Sequence, residues 1–208
     1  MSLQRRTNTY LGSKIDLLAL NAGHGLKSSW TDSAYFDAIM STNLFGVIYG
    51  INTFLPVLQA ASTPSSIIIT GSKQGITNPP GNPAYNASKS AVKSLAEHLS
   101  YDLRDSPIAV HLLVPGWTFT GLSGGGPGSE IEKPAGAWSS EQVVEFLTEK
   151  MQKKEFYVIC PDGDVTEELD RKRMLWSAGD AIYGRQPCSR WRAEYKEEAA
   201  EFIEKTKI

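Results

Sequence analysis

At 208 residues, with 41% hydrophobic and 21% charged residues, the chain has the make-up of one ordinary globular domain, neither fibrous nor disordered. At this length roughly 70% of the unfolded surface can be buried on folding, so a single core suffices and residues 1–208 are expected to form one domain. A net charge of −2 gives no long-range pull toward nucleic acid or an anionic membrane. Cys160 and Cys188 are too few for a disulfide framework, and with three histidines they give no metal-ligand spacing.

The first residues, MSLQRRTNTYLGSK, form an atypical segment (1–14) with no apolar stretch long enough for a secretory signal. No later run reads as membrane-spanning, and a cytoplasmic protein is expected. Ile15 to Asn21 (IDLLALN) then reads as a buried strand. A helix opens near Thr31 or Asp32, both suited to capping, and carries Phe36, Ile39, Met40, Phe45, Val47 and Ile48, with room for a break around Asn43 to Gly46. Ser66 to Thr70 (SIIIT) is the second strand, and Ala84 to Arg104 is a helix with Ala91, Leu95, Leu99 and Leu103 in one stripe. Ile108 to Val114 (IAVHLLV) and Phe156 to Cys160 (FYVIC) are the remaining strands. Between these two, Ser139 with Gln142 reads as a capping box for a helix ending near Lys154. Asp164 with Glu167 reads as another, for a helix stopping near Gly179. The tail from Arg190 reads as a solvated helix with a narrow apolar face, and GGGPG at Gly124 to Gly128 as a loop. Short apolar runs alternating with helical segments imply an α/β fold, a doubly wound parallel sheet with helices on both faces.

Chemistry is concentrated at Tyr85 and Lys89. The spacing alone is weak, since Tyr10 and Lys14 repeat it without periodic context. Around Tyr85, however, a strand ends in ITGS, a Gly/Pro-rich loop follows Ser72, and a helix then begins. Helical spacing sets Tyr85 and Lys89 on one face, one turn apart. A free phenol titrates near 10, too high for acid–base work at neutral pH, and a neighbouring ammonium lowers it. With the Ser72 hydroxyl to hold a substrate oxygen, the trio suits carbonyl reduction or alcohol oxidation, the hydride being left to a cofactor.

Asn21 to Gly23 (NAG), Thr42 to Gly46 (TNLFG), Thr70 to Gly75 (TGSKQG), Tyr85 to Lys89 (YNASK) and Pro115 to Thr120 (PGWTFT) together resemble the short-chain dehydrogenase/reductase family, in its order and at close to its intervals. The resemblance implies a Rossmann-like fold in which residues 15–122 form the catalytic core, 123–138 the substrate loop, and 139–208 the C-terminal helices and last strand. It implies Tyr85 as acid/base and Lys89 as the group that binds the nicotinamide ribose and lowers the phenol. Ser72 would orient the substrate oxygen, and Asn43 would hold a relay water. Asn21, Ala22 and Gly23 would pass near the cofactor ribose, with Pro115, Gly116, Thr118 and Thr120 at the nicotinamide amide. No metal is implied. The cofactor would be NADP or NAD, the substrate a small carbonyl or alcohol, and the chain would form homo-oligomers.

The family's opening strand, glycine-rich turn and first helix have no counterpart here. The fold is therefore expected to be N-terminally truncated relative to the family, because the fourteen residues before Ile15 are too few for a βαβ crossover. In open α/β sheets the dinucleotide sits where strand order reverses, against that missing unit. Binding of NAD or NADP by this chain alone is accordingly expected to be weak or absent. The strand at Ile15 would become an open edge inviting association. The rival reading is a catalytically silent, SDR-like fragment or assembly partner; a third is a small-molecule binder without hydride transfer. Among the remaining residues, His24 reads as a solvated loop residue, and His98 and His111 as packing residues. Trp117 and Trp138 flank the substrate loop, and Trp176, Trp191 and Tyr195 anchor the tail.

Overall fold

The computed structural model describes residues 14–25, 29–125 and 130–208. Four strands, β1 (Leu17–Leu20), β2 (Ser65–Thr70), β3 (Ile108–Val114) and β4 (Tyr157–Ile159), form one parallel sheet in the order β1-β2-β3-β4. Each strand is β-branched or leucine-rich and carries apolar residues on both faces, the pattern of a sheet packed from two sides. Part of the GGGPG loop and most of the opening segment lie outside the described residues.

The first helical stretch is capped where the sequence suggests, by Asp32, whose side chain accepts from the Tyr35 amide at 2.9 Å. Helix α1 (Ser33–Ile39) runs through a π turn (Met40–Phe45) into α2 (Gly46–Ala61), so the break around Asn43 is a widening of the helix, with no interruption. By length and composition Ser33–Ala61 could cross a bilayer, which corrects the absence of such a run expected from sequence. Within it Ile39, Asn43, Val47 and Leu58 are buried. After β2 come a one-turn helix α3 (Lys73–Thr77), where the sequence shows only a Gly/Pro-rich loop, and the long α4 (Pro83–Asp102). Helix α5 (Ser140–Gln152) opens on the anticipated Ser139/Gln142 box. Helices α6 (Glu167–Tyr183) and α7 (Lys196–Lys205) complete the chain.

Alternation along the strands assigns the helices to faces. Ile67, Ile69, Val110, Leu112 and Val114 face α2 and α4, with Val47, Leu58, Val92 and Ala96 in the same cluster. Ile68, Leu113 and Val158 face the other way, onto Val143 and Leu147 of α5. Strand order steps in one direction throughout, so the β3–α5–β4 crossover has the opposite hand to the two before it. It is an exception to the usual right-handed crossover, and a long segment, Pro115 to Ser139, precedes its helix. On the α5 side the described residues leave β1 uncovered, and Leu17 is 53% exposed.

Several expectations need correction. In α4 the most buried line is Ala84, Ser88, Val92 and Ala96, beside the inward Tyr85 and Lys89; of the expected stripe, Leu103 is buried and Leu99 packs on the same core, while Ala91 and Leu95 are half-buried. His98 falls on the outer side and is exposed, whereas His111 is buried with Nδ1 2.7 Å from the Glu155 carbonyl. The Asp164/Glu167 box is replaced by a Thr166 cap, whose hydroxyl accepts from Leu169 N, since Asp162 to Val165 closes a tight turn of its own. Helix α6 runs past Gly179 to a left-handed Gly184; Gly179 is buried within it, where the Arg185 guanidinium leaves no room for a Cβ. The tail makes two 3-10 turns before α7 begins. It is held by Trp176, whose indole donates to Ser189 Oγ at 2.8 Å and whose ring meets Phe202 edge-on. Trp191 stays 43% exposed and Tyr195 only accepts from the Gln186 amide, so Trp176 carries most of that anchoring.

Candidate active site

The C-terminal ends of β1, β2 and β3 open into a cavity of about 850 Å³. Asn21, Gly23, Ser72, Tyr85, Lys89, Pro115, Gly116, Thr118 and Thr120 all line it. Of the residues singled out from the sequence, Asn43 stands behind the wall, and Ala22 is exposed beside it without lining it.

Ser72 follows the strand end and caps α3, its Oγ accepting from Gln74 N at 3.2 Å. The same hydroxyl lines the cavity with the Tyr85 phenol and pulls its titration down. Tyr85 and Lys89, in the first two turns of α4, are 8% and 5% exposed. Helix α4 starts with proline at its first position, which suits the missing amide there, and this fixes the height at which Tyr85 enters the cavity. Lys89 Nζ lies 5.8 Å from the centre of the Tyr85 ring and donates to the Thr70 carbonyl at 2.8 Å. The helix reaches this depth because α3 packs against it at Gly75, where a Cβ would come within 2.6 Å of the Lys89 backbone.

Burial dominates the electrostatics. It raises the Tyr85 phenol above its ordinary value; the Ser72 hydroxyl pulls the other way, and nearby Tyr35 adds to the rise. The lowering expected from Lys89 is not among these influences, and burial sets the direction. Burial also brings Lys89 down to about 8. An unfolded lysine holds its proton to near 10.5, so between those values the unfolded chain binds more protons and stability rises with pH. Denaturant midpoints should therefore show wild type gaining on Lys89→Met by up to about 3 kcal/mol between pH 8 and 10.5. A pH-independent difference would mean that Lys89 titrates normally.

Asn43 is 1% exposed and sits in the π turn. Its Oδ1 accepts from His24 N at 2.8 Å, while Nδ2 donates to His24 O at 3.0 Å and to Ser88 Oγ at 3.1 Å. It thereby binds both main-chain groups of the residue after the NAG turn and ties that turn to α4. A second tie runs from Thr70 Oγ1 to Asn21 Oδ1 at 2.8 Å. Gly23 passes directly over these groups, since a Cβ there would lie 3.4 Å from Asn43 Oδ1 and 3.7 Å from Lys89 Nζ.

On the far wall, Thr118 pairs with Trp138, and the Ser123 hydroxyl donates to Thr118 O at 2.8 Å and accepts from Thr120 N at 2.9 Å. Trp117 is 51% exposed, while Trp138 packs edge-on against Phe146. The residues that sequence reasoning passed over are Thr70, whose contribution is a main-chain carbonyl, and the pair Lys73 and Asp162. A lysine directly after Ser72, and an Asp-Gly directly after the last strand, were the available signals.

The site fits one end of a nicotinamide dinucleotide. A buried ammonium, a phenol and close backbone at Gly23 and Gly116 converge there. At the other end of the cavity the walls are the apolar Leu17 and Ala19, and among the described residues no glycine-rich turn leads from a strand into a helix there.

The short chain dehydrogenase family profile matches residues 4–125. An oxidoreductase of Sarocladium schorii is 36% identical over 103 residues, covering 49% of this chain and 41% of the relative. A CLA biosynthesis dehydrogenase/reductase of Lactiplantibacillus plantarum is 33% identical over 113 residues, 52% of this chain and 40% of the relative. The chain thus spans well under two thirds of either. Among solved structures, a short chain dehydrogenase/reductase of Burkholderia phymatum in complex with NAD superposes with a TM-score of 0.75 at 24% identity, covering 88% of this chain and 73% of that one.

Proposed function

The chain belongs to the short-chain dehydrogenase family, and from that premise we propose that its cavity serves NAD(P)-linked reduction of a carbonyl or oxidation of a secondary alcohol. The observation that carries this reading is that Ser72, Tyr85 and Lys89 line one cavity, with the Lys89 ammonium 5.8 Å from the centre of the Tyr85 ring. In reduction the Tyr85 phenol gives its proton to the substrate oxygen, and in oxidation it takes that proton back. Ser72 holds the same oxygen by a hydrogen bond, which orients the reacting carbon. When bound, the nicotinamide supplies or accepts the hydride. Lys89, buried and cationic below about 8, stands beside the phenol ring and would hold the cofactor's ribose. Asn43 has both amide hydrogens engaged, which leaves one Oδ1 lone pair for a relay water. Its main contribution is to hold the NAG turn over Lys89.

The grip on the nicotinamide end falls to Asn21, Gly23, Pro115, Gly116, Thr118 and Thr120, with Ala22 in the same turn. A homo-oligomer would draw on exposed aromatic residues of the helical face such as Phe45 and Tyr49, which stack on each other.

The test is a titration with NADH and with NADPH, following nicotinamide fluorescence. Saturable enhancement at millimolar cofactor or below, lost in Lys89→Met, supports the reading. A flat response from a chain with a folded circular-dichroism spectrum would overturn it and favour the silent alternative.

A further inference from the structure

Lys73 follows Ser72 and has no part in the acid–base chemistry above, yet it touches three strand ends at once. Its main-chain amide donates to the Pro115 carbonyl at 3.3 Å. Its ammonium lies between two carboxylates, Asp162 after β4 and Asp170 in α6, the latter at 2.7 Å. The three side chains are 13%, 16% and 1% exposed, so the pairing operates largely away from water. Arg173, 3.3 Å from Asp170, completes a set of two cations and two anions. Arg190 stands nearby, and burial together with Arg173 brings it down to about 10.

Asp162 is what this lysine holds in place. One of its oxygens pairs with Lys73; the other accepts the Trp117 amide at 2.6 Å. The carboxylate also lies flat against Gly116, where a Cβ would collide with it. The strand-end loop Pro115–Trp117 is therefore gripped from two directions by consequences of one residue: the Lys73 amide takes its first carbonyl, and the Lys73-bound carboxylate takes its third amide. The neighbouring Ser72 is fixed by the same anchorage.

We propose that Lys73, acting through Asp162, is a positioning residue that sets the height of the Pro115–Trp117 loop above the cavity. Its importance for turnover rests on the function proposed above, because that loop is where the nicotinamide end would lie. The clamp itself needs no cofactor to be seen.

Hydrogen exchange of the free chain tests it. In Lys73→Met the Trp117 amide should exchange about tenfold faster or more, the measure of a lost charge-assisted bond, while amides of β2 and the middle of α4 keep their wild-type rates. Lys73→Arg, which can still bridge two carboxylates, should restore protection. Asp162→Asn, which retains shape and an acceptor oxygen, should fall between and serves if Lys73→Met does not fold. In turnover assays Lys73→Met should raise the cofactor KM more than it lowers kcat. Wild-type exchange at Trp117 in both Lys73→Met and Asp162→Asn, or acceleration spread evenly over the sheet, would overturn the proposal. Either result would leave the reading of Tyr85 untouched.

Discussion

Replacing Tyr85 with phenylalanine is expected to reduce turnover of a carbonyl substrate by roughly a hundred- to ten-thousand-fold, the range attributed to a positioned acid–base group. The change removes one oxygen and leaves the ring, so packing beneath it is preserved. Ser72 still accepts from Gln74 N, and Lys89 still donates to the Thr70 carbonyl. The unfolding midpoint should consequently stay close to wild type, and the loss should appear in kcat. Steady-state rates with denaturation curves on the same samples check both halves. A phenylalanine variant that keeps its rate would remove Tyr85 from the chemistry, however well the cavity binds cofactor.

Asn43→Ala should act in the opposite sense, on structure before chemistry. Three hydrogen bonds go at once, two of them to the main chain of His24 and one to buried Ser88. Groups left without partners in a partly buried place cost more than the bond itself, and about 2–3 kcal/mol of stability should be lost, less the small gain from alanine's helix propensity. Urea unfolding gives the number, and exchange at the His24 amide gives the location. A loss under about 1 kcal/mol would show that solvent replaces the side chain at no great cost, and that the NAG turn is held by Thr70 and Asn21 instead.

The contrast between these two residues shows what a sequence makes legible. Strand positions, the Asp32 cap and the Ser139/Gln142 box are local: they depend on side chains a few residues apart, and β2, β3 and α5 lie where periodicity and capping place them. The gathering of Ser72, Tyr85 and Lys89 was also readable, because a strand end and a helix start bracket it. What resisted reading depends on distant partners. Gly179 looks like a helix stop, and only the approach of the Arg185 side chain explains a glycine inside α6. His98 looks like packing until the inward line of α4 is known to pass through Ser88 and Val92. Lys73 lies inside the TGSKQG stretch, but nothing local shows its role, since its partners are some 90 residues away in sequence. The shift of Tyr85 was misjudged for the same reason: proximity to an ammonium is visible in a spacing, whereas desolvation is a property of everything packed around it.

The π turn from Met40 to Phe45 bears on how the long first helix can change. A π turn holds one more residue than a regular α-helical path, so the two halves of the rod are phased for that surplus. Winding the same residues as plain α-helix, with none removed, would give a more regular rod with better internal bonding. It would also swing one half relative to the other by about 100°, the angle each residue occupies. Ile39 on one half and Val47 and Leu58 on the other could then no longer seat in the core together. Local regularity and global fit thus pull in opposite directions at this spot, and the irregular version is the one that lets the Asn43 amide reach sideways to His24 and Ser88.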